Sequence, residues 1–223
     1  MSASTDDVIP DPTAQGVQKE DSKIAEDEDD DFLSTFYPRD LAVPPDNKRR
    51  IIDLEKESVV LMAEALEELG DSYAVHGFSG YGRDQVDYYV CKDFDERYQA
   101  ESKGRIGAIK PCRSTRMGPA IRHATWNLAR TESRVKALII ISDGYPQDFD
   151  YGQDRNSKDY GIQDTTKALA EAKQKGIQTF CLTVDQSGHD YLREMCPDQQ
   201  YMVIQDIAQL PKELSKVYQG LTT

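Results

Sequence analysis

Lys136 to Asp150 reads KALIIISDGYPQDFD, and its first half limits the folds open to this chain. Ala137 to Ile141 is an unbroken apolar run that ends at Ser142-Asp143-Gly144. Short, continuous and β-branched, it predicts a strand buried on both faces, as inside a parallel sheet. Helical periodicity surrounds it. Lys48 to Leu69 carries a broad apolar stripe (Ile51, Ile52, Leu54, Val59, Leu61, Met62, Ala65, Leu66, Leu69) and stops at Gly70-Asp71. Met117 to Arg130 predicts a helix with Ile121, Ala124, Trp126 and Leu128 as core, and Ile162 to Lys175 a helix closed by Gly176. His189 to Met195 reads as a short helix, and Leu210 to Leu221 as a closing helix with Pro211 in its first turn. Further strands are predicted at Tyr73–Phe78, Val86–Cys91, Gln178–Val184 and Tyr201–Ile204, the second as an edge hairpin partner of the first. Asp93 to Gly104 reads as charged connection, and Ile106 to Ile109 as a short strand or irregular chain. Strands alternating with helices predict an α/β, doubly wound fold with a mostly parallel sheet.

Charge divides the chain. The formal net charge is -13, and residues 1–47 hold thirteen Asp and Glu against three Lys and Arg. Residues 6–47, with KEDSKIAEDEDDD inside them, lack a core-forming face and predict an acidic flexible segment. Residues 48–223 form the globular domain and are close to charge balance. With no net positive field there is nothing to drive nucleic-acid binding by counterion release. The four Cys (Cys91, Cys112, Cys181, Cys196) share no CxxC spacing, so neither a zinc site nor a disulfide framework is expected; buried thiols fit a reducing compartment. No apolar run reaches membrane-spanning length and no leader opens the chain, which predicts a cytoplasmic protein with no membrane span.

Open α/β sheets bind ligands beyond the carboxyl ends of their strands. Asp143 lies there, although an Asp-Gly pair also serves simply to cap a turn. Ser114-Thr115, directly ahead of a predicted helix, lies at the same end, and Ser2-Ala3-Ser4-Thr5 opens the chain with more hydroxyls. Hydroxyls and a carboxylate are hard oxygen donors that suit Mg²⁺ or Mn²⁺ and not Zn²⁺. The Asp- and Tyr-rich loop from Gly144 to Tyr160 is long enough to suggest function, and Tyr145 and Phe149 beside Asp143 suit either a protein-docking rim or ordinary packing.

This set of loops resembles a von Willebrand factor A domain and its metal-ion-dependent adhesion site. That family uses Asp-x-Ser-x-Ser after the first strand, a Thr from a second loop and an Asp from a third. Ser2 and Ser4 match the two Ser, Thr115 in TRMGPAIRHA the Thr, and Asp143 in IIISDGYP the third-loop Asp. The first Asp has no counterpart, and residues 1–5 are a remnant of the motif. IIDLEKE, GFSGYGRD, KDFDERY, SDGYPQD, DYGIQDT and TKALAEAKQKGI further resemble the carboxyl-terminal A domain of NorD-type nitric-oxide-reductase activation proteins, and almost equally the CbbO-type Rubisco activation proteins. The resemblance covers Lys48 to Thr223. It implies a non-enzymatic, metal-dependent docking module acting with a MoxR-type AAA+ ATPase on a target metalloenzyme. It also implies that the central first strand, between Tyr73–Phe78 and Ala137–Ser142, is missing. The chain is then expected to be a fragment, or a reading frame started at an internal Met, with weak or absent Mg²⁺ or Mn²⁺ binding.

Two other classes of protein share some of these features. Ser79 in Gly77-Phe78-Ser79-Gly80-Tyr81, with Asp143 and His189 following, has the chain order of a serine hydrolase. The motif requires Gly where Tyr81 stands, and the element after Ser79 is a hairpin. Extracellular adhesion is opposed by the lack of a leader and of paired Cys. No GK[ST] follows Gly77, Gly80 and Gly82, so the chain has no P-loop.

Overall fold

The computed structural model describes residues 8–10, 48–152, 158–196 and 198–222. Two short strands, β1 (Val8–Pro10) and β2 (Lys48–Arg50), pair antiparallel and so bring together the two ends of the acidic segment. Residues 11–47 between them, including the acidic run, lie outside the described residues. Helix α1 (Ile51–Leu69) follows and ends where Gly70, at φ 76°, takes the left-handed conformation and caps it. The apolar pattern predicts a helix from Lys48, but Lys48–Arg50 pair as β2 and the helix starts at Ile51.

Strands β3 (Val75–Gly80) and β4 (Val86–Lys92) form the expected antiparallel hairpin. Helix α2 (Ala100–Gly107) occupies a stretch read as connection and short strand. Its pattern gave no sign of a helix, because Ser102 and Ile106 are its only buried residues. Helix α3 (Met117–Ala129) leads to β5 (Ala137–Ser142), then α4 (Asp159–Gln174), β6 (Gln178–Thr183), α5 (Gly188–Met195), β7 (Tyr201–Val203) and α6 (Leu210–Thr222). Strands β5, β6 and β7 pair parallel in that order, with Ala137 opposite Gln178 and Cys181 opposite Tyr201.

Alternation along β5 builds two cores, as the doubly wound reading requires. Leu138 and Ile140 face a cluster with Met117 and Ile121 of α3, Ile162 and Leu169 of α4, Cys181, and Tyr191, Leu192 and Met195 of α5. Ala137, Ile139 and Ile141 face the other, with Leu182, Leu210, Leu214 and Val217 and with Leu54 and Met62 of α1. Trp126, read as core, is half exposed. The buried stripe of α3 runs through Met117, Ala120, Ile121 and Thr125, and one residue further is about 100° around the helix. The indole stacks on His123 instead and lies under Arg130. Of the thiols, Cys91, Cys181 and Cys196 are buried, whereas Cys112 is exposed.

The sheet is in two pieces. Among the described residues β3 pairs with β4 alone, and β5 with β6 alone. A cavity of about 880 Å³ lies between the pieces. It is lined by Val75 to Phe78 of β3, Ala137 to Ser142 of β5, and residues of α1 and α3. Consequently most of β5 is only half buried, although both its faces are packed. This is the place where the expected central strand is absent from the described residues.

Candidate metal centre

The loops at the carboxyl ends of β3 and β5 are bonded to the loop ahead of α3. Gly80 and Ser114 exchange backbone hydrogen bonds of 2.9 and 2.8 Å. One residue on, the Gln147 N–H donates to the Thr115 carbonyl at 3.1 Å. Thr115 thereby joins the loop that starts at Asp143. Both side chains are enclosed, Thr115 at 0% exposure and Asp143 at 5%. The Thr115 hydroxyl is buried with no hydrogen-bond partner among the described residues. Buried hydroxyls are normally satisfied, so an orphaned one marks a place for a ligand oxygen, water or ion. Beside Asp143, the Ser142 hydroxyl donates to the Gly144 carbonyl at 2.9 Å and fixes the turn.

Arg116, one residue beyond Thr115, organises the rest. It is 7% exposed and pairs with Asp148 at 3.4 Å and with Asp150. Asp148 accepts the Gly82 N–H at 2.9 Å, and Asp150 accepts the Arg83 N–H at 2.7 Å. These bonds tie loop 79–84 to the loop after β5. Burial opposes ionisation of Asp150, but the Arg116 guanidinium and the Arg83 N–H outweigh it and hold the carboxyl down at about 2. Gly80 is needed here: a Cβ would stand 2.5 Å from Arg116 Cβ. Above this bolt, Tyr81 and Phe149 are exposed with ring centroids 4.7 Å apart, and Arg113 lies over Tyr81. Tyr145 is half buried against Tyr191 instead.

Ser2 and Ser4, the other two expected ligands, lie outside the described residues. The donor set of Thr115 and Asp143, one hydroxyl and one carboxylate, is hard and suits Mg²⁺ or Mn²⁺. Among the described residues no three His, Cys, Asp or Glu gather as a metal cluster. The hydrolase arrangement is not built. Ser79 is 1% exposed inside β3, and β3 continues into β4 without the strand-to-helix turn that presents a nucleophile. His189 packs on the Tyr201 ring.

The fold and these loops define an A-type domain. The von Willebrand factor type A domain model matches residues 50–216, and the chain belongs to that family. Within it, the chain is 40% identical over 161 residues to Protein NorD of Stutzerimonas stutzeri, covering 72% of this chain and 26% of that protein. It is 34% identical over 175 residues to Protein NorD of Brucella melitensis, covering 78% and 27%. An uncharacterised Pseudomonas aeruginosa protein is 40% identical over 176 residues, covering 79% and 28%. The domain is therefore NorD-like, and the match takes in about a quarter of the length of these curated relatives. Among the described residues no helix is long and apolar enough to cross a membrane.

Proposed function

We propose that this chain is a non-enzymatic, metal-dependent docking module of a NorD-type nitric-oxide-reductase activation protein. The observation that carries the reading is the Thr115 hydroxyl, buried without a partner on the loop bonded to that of Asp143. Thr115, Asp143, Ser2 and Ser4 would offer oxygen ligands to Mg²⁺ or Mn²⁺, Asp143 directly or through a water. The metal's remaining position would take a carboxylate of the partner, and the rim of loops 79–84, 111–116 and 144–160 would choose that partner. Exposed Tyr81 and Phe149 suit such a rim, since aromatics are enriched at interfaces. The partner is a MoxR-type AAA+ ATPase, the target a metalloenzyme, and the setting the cytoplasm.

The test is capture of the MoxR-type ATPase on immobilised protein, with Mg²⁺ and with EDTA. Capture is expected in Mg²⁺ alone, and Asp143→Ala should abolish it while the far- and near-ultraviolet circular dichroism stays unchanged. Undiminished capture by Asp143→Ala sinks the reading. A fluorophosphonate probe should leave Ser79 unlabelled.

A further inference from the structure

A second carboxylate lines the cavity that Asp143 lines, and it comes from α1. Glu55 sits one turn into α1, on the helix face that buries Ile52 and Ser58. It is 8% exposed, a core position for a residue type that is seldom buried without a partner. Its Oε1 has no hydrogen-bond partner among the described residues. The nearest cation in sequence, Lys56, is engaged elsewhere, with Asp53 at 3.4 Å and the Gly107 carbonyl at 3.2 Å. Glu55 lines the same cavity as Ser142 and Asp143.

From this geometry we infer that Glu55 is a ligand, direct or through one water, of the divalent cation held by Asp143 and Thr115. The inference rests on the metal-centre reading above. Glu55 adds a carboxylate from α1 to that of Asp143 on the loop after β5. Two enclosed carboxylates repel each other and favour a proton on one of them unless a cation lies between. With Thr115 the three side chains offer three hard oxygens, and waters complete the six that Mg²⁺ takes.

The experiment is a Mn²⁺ titration of the full chain, followed by the electron paramagnetic resonance of free Mn²⁺. It is run on wild type, Glu55→Gln, Asp143→Asn and, as a control on the exposed face of α1, Glu68→Gln. One site per chain is expected, weakened at least tenfold by Glu55→Gln and by Asp143→Asn and left unchanged by Glu68→Gln. Glu55→Gln keeps the shape of the side chain, and its melting temperature in EDTA reports the fold; the Mn²⁺-induced rise in melting temperature should vanish in it. Binding that depends on Asp143 and not on Glu55 overturns the inference and leaves the metal centre standing. Absence of a stoichiometric site, or one indifferent to both variants, overturns the inference, and the ATPase capture assay then judges the docking reading separately.

Discussion

Arg116 is surrounded by what it neutralises. Asp148, whose side chain is fully enclosed, and Asp150 take its guanidinium, and Tyr151 lies against it with the ring centroid 4.5 Å away. Removing one member of such a buried set leaves an uncompensated charge, so Arg116→Met is expected to destabilise the domain by about 3–5 kcal/mol. Urea unfolding at neutral pH measures this. Acid should close the gap. The Asp150 carboxyl falls from 3.8 to about 2 in the folded state, so its contribution is complete above pH 4 and disappears as pH falls through 2. Unfolding midpoints of wild type and Arg116→Met should therefore converge between pH 4 and 2; a constant difference would sink the assignment. At this scale the sequence was partly readable. Thr115 and Asp143 stood out because loop position and oxygen chemistry single them out. Arg116, Asp148 and Asp150 did not, because nothing in local spacing says that Arg116 meets carboxylates more than thirty residues on. Glu55 was hidden as well, since a Glu between apolar helix positions reads as a solvated face until the helix is docked.

Elements were legible where period and stop signals agreed. Strand β5, helices α1 and α4 with their terminal glycines Gly70 and Gly176, and parallel pairing in the sheet all follow from pattern, whereas the β5–β6–β7 order comes from the structure. Helix α2 was not legible, because it is tied by side chains and not by an apolar stripe: Arg105 donates to the Cys91 carbonyl at 2.7 Å. The strands differ in a way that exchange can read. Strand β6 has partners on both sides, whereas β5 and β3 each turn one edge to the cavity. Backbone amides without a ladder partner exchange from the native state. Alternate amides of β5 should therefore exchange much faster than those of β6, by about two orders of magnitude or more, in amide hydrogen exchange followed by nuclear magnetic resonance. Uniform protection along β5 would mean that its edge is covered in solution.

The two half-sheets are held in one molecule by helices and by one set of loops. Helix α1 joins both, lining the cavity while packing on the cluster of α6. The loop bonds Gly80–Ser114, Thr115–Gln147 and Gly82–Asp148 all lie at the candidate metal centre. The end that carries the site is thus the end that is stitched, and the cavity runs from Asp143 along β3 and β5. Its lining is largely apolar, with Ile52, Ile106, Ile121 and Ile140 among the residues, and its volume of about 880 Å³ is within the ~300–1,000 Å³ range of small-molecule sites. An apolar dye that fits should therefore bind the native protein. 8-Anilinonaphthalene-1-sulfonate is expected to saturate near one per chain in neutral buffer, with near-ultraviolet circular dichroism intact, which separates native binding from a molten globule. Ala124 lines the cavity from α3, so Ala124→Phe should reduce the dye's affinity several-fold without lowering the helix content. Dye binding unchanged by that substitution would place the apolar surface elsewhere. Dye that binds only as near-ultraviolet signal is lost would show that the cavity is closed in the folded chain. The metal centre gives the complementary reading: because its loops bond the two halves together, Mn²⁺ should raise the thermal stability of the native protein, and because Glu55 and Asp143 line the same cavity, it should also change the dye's affinity.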